Sequence, residues 1–316
     1  MINPHRTILR DAQYDTLLRE EGFAVIPFLD KDEVDDLVQI FREAHPQKVE
    51  GFYASAHLSD ISLRKKLSEN IKAILNSAFE KWFLQCKLLG GSFVVKAAGF
   101  DETLQPHQDW NIVDEKKFRS FNIWIPLIDL HSDNGTILVM PHSHRWLATY
   151  RHASIPCAFK EIHGLLLQHM KPLYLKAGEA LVYDHALLHA SLPNKSQEPR
   201  IACACGVIPA EAEMMLFVNH NGKIAAYECN TAYFMEENIF DSPPRSLKKI
   251  CETEYDFPSV SIKDFYRLSG LPMPEHIHEK MQEQLTYDKG NEKRPFWKIY
   301  TPRNILKEIQ HRLFHD

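Results

Sequence analysis

The chain changes its hydrophobic period once. In its first third apolar residues recur every three or four positions; beyond Gly90 they alternate. Tyr14, Leu17 and Leu18 have helical spacing, Gly22 ends that run, and Phe23-Ala24-Val25-Ile26-Pro27-Phe28 predicts a short strand. Asp30 and Glu33 form a D-x-x-E capping signal ahead of a helix with Val34, Leu37, Val38 and Phe41 on one face. Residues 46 to 60, with Phe52, Tyr53 and His57, read as a polar and aromatic loop. A longer helix follows, its stripe of Leu63, Leu67, Ile71, Leu75, Ala78 and Trp82 predicting core packing.

In the alternating part, Phe93-Val94-Val95-Lys96 predicts a strand, and Phe121, Ile123, Ile125 and Leu127 alternate with Asn122, Trp124 and Pro126. Asp133-Asn134-Gly135 is a turn signal before Thr136-Ile137-Leu138-Val139-Met140. Lys176-Ala177-Gly178 is another, leading into a strand from Glu179 to Tyr183. Short strands separated by tight turns predict an antiparallel barrel or jelly roll, with the N-terminal helices outside one sheet. Beyond Pro209 the pattern allows another strand or two around the loop Asn219-His220-Asn221-Gly222. Ser242-Pro243-Pro244 reads as a boundary. The expected organisation is a domain over 1–242 with its core at about 90–209, and a peripheral helical or irregular extension over 243–316 belonging to that domain. Helices are expected near 275 to 285 and 303 to 313.

Composition narrows the class without naming a chemistry. A chain of 316 residues, 44% hydrophobic and 25% charged, is ordinary for a globular protein. A net charge of −5 gives no nucleic-acid footprint, and no basic stripe with interleaved aromatics is present. No apolar run approaches the roughly 20 residues that cross a bilayer. The N-terminal Met1-Ile2-Asn3-Pro4-His5-Arg6 lacks a signal-peptide core. The six cysteines include no C-x-x-C, so reduced thiols and a cytoplasmic location are the default.

Chemistry enters at Pro106-His107-Gln108-Asp109-Trp110. Residues two apart on an extended strand point to the same side, so His107 and Asp109 converge on one point. One further histidine would complete a 2-His-1-carboxylate face, the ligand set of non-heme Fe(II) oxygenases. The best candidate is His189, after the apolar run Ala180-Leu181-Val182-Tyr183; His185 competes for the role. Arg200 opens a strand-like run, Ile201-Ala202-Cys203-Ala204-Cys205-Gly206-Val207, on which Arg200, Ala202, Ala204 and Gly206 share a face. Small residues beside an inward arginine leave room for a ligand.

These residues, with Asn134-Gly135-Thr136 leading into Pro141-His142-Ser143-His144 and with His189-x-Ser191, resemble the phytanoyl-CoA dioxygenase family of iron- and 2-oxoglutarate-dependent oxygenases over roughly residues 14 to 209. The resemblance implies a mainly β fold: a double-stranded β-helix (jelly-roll, cupin-like) core with flanking helices. It selects His189 over His185, making His107, Asp109 and His189 the Fe(II) ligands. It assigns the far carboxylate of the cosubstrate 2-oxoglutarate to Arg200 and Ser191, with Asn122 a further contact. A guanidinium suits that task because it pairs with a carboxylate in a planar, bidentate way. The implied reaction uses O2 to hydroxylate a small molecule, such as a carboxylic acid, amino acid, acyl conjugate or natural-product intermediate, releasing succinate and CO2. Asp109 occupies the position that is a small residue in related halogenases, which favours hydroxylation. The alternatives are a cupin-like metalloenzyme that does not use 2-oxoglutarate and a non-catalytic binding protein. His142 and His144 read as turn residues, although the family often has glycine after that proline. Arg145, Arg151 and His152 read as a solvated basic loop, or as a greeting for an anionic substrate if they border the site. Neither nucleic acid nor membrane is an expected partner, and oligomeric state leaves no signal.

Overall fold

The computed structural model describes residues 6–45, 47–237, 239 and 244–275. The helices expected at 275–285 and 303–313 therefore lie outside the described residues, Glu275 apart. Residues through Ser259 form one compact unit and Val260 begins a second.

The first unit opens with α1 (Ala12–Glu21), β1 (Phe23–Pro27) and α2 (Lys31–Ala44). Each helix starts where a carboxylate can take the orphan N–H groups of its first turn. Asp11 accepts from the Gln13 N–H, and Asp30 accepts from Glu33 while the Glu33 carboxylate accepts from the Asp30 N–H. The short strand β2 (Phe52–Ala54) precedes α3 (Ile61–Trp82), capped by Asp60 on the Leu63 N–H. The alternating region supplies β3 (Cys86–Lys96), β4 (Leu104–His107), β5 (Phe121–Pro126) and β6 (Ile137–Val139). Then come α4 (His163–His169), β7 (Lys171–Leu173), β8 (Glu179–Asp184), β9 (His189–Ser191) and β10 (Arg200–Pro209).

Two antiparallel sheets result. The larger runs β1-β8-β5-β10-β3-β2 and the smaller β4-β9-β6-β7. Period-2 alternation sends β1, β5, β8 and β10 of the large sheet into two different cores. Phe121, Ile123, Ile125, Ile201 and Cys203 pack with Leu37, Phe41, Leu67, Ile71 and Leu75 of the helices. The opposite parity, Trp124, Leu181, Tyr183 and Ala202, packs against Ile137, Val139 and Leu173 of the small sheet. The chain is thus a mainly β, jelly-roll (cupin-like) fold with its N-terminal helices on the outer face of one sheet. Cys203 and Cys205 are buried free thiols, and burial pushes Cys205 up to about 12.

Three local expectations need correction. Residues 52–54 are a strand, because Phe52 and Tyr53 pair with Lys96 and Val95 at the edge of the large sheet. The strand read as beginning at Phe93 starts at Cys86 and carries Gly90 and Gly91 within it. A Cβ at Gly91 would sit 2.6 Å from Ile71 Cγ2, so glycine is what lets α3 lie this close to the sheet. Beyond the expected hairpin β11 (Met215–His220) and β12 (Lys223–Glu228), turning at Asn221-Gly222, lie α5 (Thr231–Glu236) and a further strand, β13 (Lys249–Glu254). The last three strands form their own sheet, β11-β12-β13. In the second unit, α6 (Ile262–Ser269) begins with a Ser261/Asp264 capping box. No helix among the described residues is long and apolar enough to cross a membrane.

The Gly91–Ile71 contact makes a prediction. Gly91→Ala alone is expected to destabilise by about 1–3 kcal/mol through overpacking, and Ile71→Ala alone by about 2–5 kcal/mol through a cavity. Because Ile71→Ala removes Cγ2, the nearest atom, and leaves Cβ at 2.8 Å and Cys205 Sγ at 3.0 Å, the double variant should be partly relieved and lose less than the sum. Denaturant melts of the four proteins check this, and additive losses would refute the close approach.

Candidate metal centre

β4 and β9 are antiparallel neighbours in the small sheet, with His107 directly opposite His189. A register irregularity between Leu104 and His107 sets that pairing. The two imidazole centroids lie 4.2 Å apart. Each ring is oriented from behind: Nδ1–H of His107 donates to the Gln105 carbonyl at 2.8 Å, and that of His189 to Leu187 at 3.1 Å. Each Nε2 is left with its lone pair for a metal, the arrangement seen behind imidazole ligands generally. Asp109 lies two residues past His107, its Oδ1 3.8 Å from His189 Nε2. One donor atom from each of His107, Asp109 and His189 lies within 4.8 Å of the others.

The electrostatics suit a cation. Burial and the neighbouring His189 push the His107 imidazole down to about 4, so at neutral pH its lone pair is free. Burial alone would raise the Asp109 carboxyl. His189, His185, His107 and the Tyr183 hydroxyl outweigh it and hold the group well below the usual carboxylate range.

Asp109 is held from three directions. The Tyr183 hydroxyl donates to Oδ2 at 2.9 Å, and Asn122 Nδ2 reaches the same oxygen at 3.3 Å and the Tyr183 hydroxyl at 3.0 Å. Oδ1 is thereby turned to the histidines. Arg151 Nε donates to the Asp109 backbone carbonyl at 2.7 Å while its guanidinium pairs with Glu115. The basic loop reading fails for Arg151: it is buried, neutralised by Glu115, and fixes the turn that carries Asp109. His185 turns its Nδ1 to Ser120 at 3.0 Å and is not among the converging donors.

Of the residues read as cosubstrate contacts, Asn122 lies at Asp109, while Arg200 and Ser191 stand on β10 and β9. Arg200 is buried, with its guanidinium carbon 5.1 Å from the Trp124 ring centre and Nη1 donating to the Gly135 carbonyl at 3.3 Å. Burial pushes it down to about 10, still charged at neutral pH. Its Nε and the Ser191 Oγ are buried without a hydrogen-bond partner, as is Asn122 Oδ1. No carboxylate among the described residues forms an ion pair with Arg200.

The turn histidines have a structural task. His142, at φ 65, occupies the left-handed conformation that suits glycine, and its Nδ1 reaches the Glu20 carbonyl at 2.9 Å. His144 Nε2 reaches the Arg19 carbonyl at 3.1 Å, so both tie the turn to the end of α1. Tyr183, Arg151 and Lys96 escaped the sequence reading. Only Tyr183 left a usable signal there, since it shares strand parity with Leu181, which faces the small sheet.

Among curated proteins no sequence match is found. Solved structures of similar fold include the non-heme alpha ketoglutarate dependent carbocyclase SnoK from nogalamycin biosynthesis, at 18% identity over 65% of this chain and 86% of that one, TM-score 0.47. The epimerase SnoN from the same biosynthesis is 18% identical over 78% and 94%, TM-score 0.47. HygX from Streptomyces hygroscopicus, solved with nickel, 2-oxoglutarate and hygromycin B bound, is 15% identical over 64% and 88%, TM-score 0.44. The sequence model of the phytanoyl-CoA dioxygenase (PhyH) family matches residues 24–202, more than half of the chain. The chain belongs to the phytanoyl-CoA dioxygenase family.

Proposed function

We propose that this protein is an Fe(II)- and 2-oxoglutarate-dependent dioxygenase that hydroxylates an aliphatic C–H bond of a small molecule. The observation that carries the reading is the convergence of His107, Asp109 and His189 donor atoms within 4.8 Å beside a buried guanidinium lacking a carboxylate. Two imidazoles and a carboxylate fit a divalent iron and leave coordination positions open. The partnerless Arg200 Nε and Ser191 Oγ fit the far carboxylate of 2-oxoglutarate, since buried polar atoms without partners are costly unless a ligand completes them.

Iron bound there would supply dioxygen activation, coupled to decarboxylation of 2-oxoglutarate to succinate and CO2. The chain's own residues do the rest. His107 and His189 present Nε2 because backbone carbonyls hold Nδ1–H. Tyr183 and Asn122 hold Asp109 Oδ2, which keeps Oδ1 toward the metal position. Arg200 and Ser191 orient the cosubstrate by its far end, and Trp124 closes the wall beside the guanidinium. Asn122 thus acts chiefly through Asp109, and its free Oδ1 faces no protein donor. Asp109 fills the carboxylate position, so the reading is hydroxylation rather than halogenation. His107, Gln108, Asp109 and Trp110 keep partial exposure, and the substrate would approach on that side. Reduced thiols such as Cys203 suit a reducing compartment like the cytoplasm.

The deciding experiment is an anaerobic Fe(II) titration with and without 2-oxoglutarate. A weak visible metal-to-ligand charge-transfer band supports the reading; iron binding without the band favours a metalloenzyme that does not use 2-oxoglutarate. Asp109→Ala is expected to abolish metal binding and succinate release, and wild-type turnover in that variant would remove Asp109 from the ligand set. Arg200→Ala should keep iron but raise the 2-oxoglutarate requirement at least about thirtyfold, the low end of the cost of breaking a buried charge pair (~2 kcal/mol). Tyr183→Phe should weaken Fe(II) binding about 10–100-fold, as loss of an outer partner of a metal ligand does. Equilibrium dialysis measures it, and unchanged affinity would show Asp109 to be oriented without Tyr183.

A further inference from the structure

Arg200 is not alone at its end of the inter-sheet space. Lys96, the last residue of β3, is its direct partner in the β3–β10 register and is completely buried. Its Nζ donates to the carbonyls of Ser191 at 3.0 Å, Leu192 at 2.6 Å and Glu102 at 3.0 Å. The ammonium therefore reaches from the large sheet to β9 of the small one, and its three N–H groups are all engaged. Two of them grip the backbone of Ser191 and its neighbour, the segment whose Ser191 hydroxyl is buried and unpartnered.

The charge is the unexplained part. Neutral donors could brace those carbonyls, whereas a cation beside a second buried cation is unfavourable. Burial and Arg200 push the Lys96 amine down to about 7, against the weaker pull of Glu102. No ion pair among the described residues neutralises either group. Buried Arg151 pairs with Glu115 and half-buried Arg119 with Asp184, whereas buried Arg64 donates through Nη1 to the backbone carbonyls of Ala56, Phe234 and Glu237. Three carbonyl acceptors around Nζ require the ammonium form, and two adjacent cations without a carboxylate are what an anion would complete. Gly135 adjoins both groups. Its carbonyl accepts from Arg200, and a Cβ on it, already disfavoured at φ +76, would lie 3.2 Å from Lys96 Cδ.

We propose that Lys96 is a positioning residue for the cosubstrate: it holds Ser191 in place through the backbone and adds a second positive charge beside Arg200 for the far carboxylate of 2-oxoglutarate. This rests on the 2-oxoglutarate reading above. It goes further by making recognition of the far carboxylate a two-cation property, in which one cation makes no hydrogen bond to the ligand.

The test compares 2-oxoglutarate with 2-oxopentanoate, which keeps the chelating keto acid and replaces the far carboxylate by a methyl group. Kd values for both come from anaerobic titration of the Fe(II) protein, read from the charge-transfer band. The wild type is expected to prefer 2-oxoglutarate strongly. Lys96→Met should erode that preference at least about tenfold, a ΔΔG of ~1.4 kcal/mol, with 2-oxopentanoate affinity unchanged. A lysine that only braces the sheets would weaken both ligands alike, and an unchanged ratio or a parallel loss overturns the proposal. If Lys96→Met fails to bind iron, Lys96→Gln decides, because the shorter amide removes the charge while keeping two of the three N–H donors. Loss of the preference supports the proposal and retention overturns it. A wild type that binds iron without either band defeats the 2-oxoglutarate reading itself, and the Lys96 proposal falls with it.

Discussion

The candidate site depends on the pairing of β4 with β9. Strand side chains alternate faces, so a slip of one residue in that pairing would turn His107 away from His189. The sandwich supplies the stiffness that prevents the slip. β9 is flanked by β6 as well as β4, with Val139 and Ile137 opposite His189 and Ser191. β6 in turn is packed against Trp124 and Leu181 of the large sheet. Asp109 lies just past the end of β4, where no ladder fixes it, and side chains take over. Gln108 donates to the Ala186 carbonyl and Arg151 to that of Asp109, so the turn is pinned on both sides of the imidazole–carboxylate pair.

Charge is distributed unevenly along the inter-sheet space. At one end lie lone pairs and a carboxylate, at the other Lys96 and Arg200. The same residue types are buried elsewhere without functional meaning. Arg151 is buried and Arg119 half-buried, and each meets a carboxylate at hydrogen-bonding distance and becomes a structural tie. Burial of an arginine is therefore uninformative by itself. Buried Arg64 likewise lacks a carboxylate; what separates Arg200 is a second buried cation, Lys96, directly opposite it in the strand register with no carboxylate paired to either.

Residues beyond the matched region add the third sheet. Its core of Leu216, Val218, Ala225 and Tyr227 takes in Trp110, the residue after Asp109, and Phe217 packs with Tyr150, next to Arg151. The third sheet is thus built onto the same turn and loop that hold the candidate ligand. Loops and additions around a barrel mouth vary with the substrate while the barrel does not.

Much of this was legible in the chain. Periodicity located α1, β1, α2 and α3, since amphipathic spacing and N-cap carboxylates act within a few residues of sequence. The face of β5 carrying Asn122 and Trp124 followed from alternation alone. His107-x-Asp109 pointed to two candidate ligands by strand parity, although Asp109 lies past the end of β4 and is brought to the histidines by Tyr183, Asn122 and Arg151. The third histidine needed the family resemblance, since His185 and His189 are equally plausible from spacing. The tertiary structure alone decided what depends on residues far apart in sequence. Gly91 could not be read as a strand residue without Ile71 against it. Arg151 looked like part of a solvated basic loop until Glu115 and the Asp109 carbonyl were beside it. Lys96 looked like the polar end of a strand, and only the β3–β10 register and the Ser191 carbonyl turned it into a buried cation. Local pattern dictates which face a side chain takes. Which charges meet on that face is set by sheet register and loop closure, and neither is written in any short stretch of sequence.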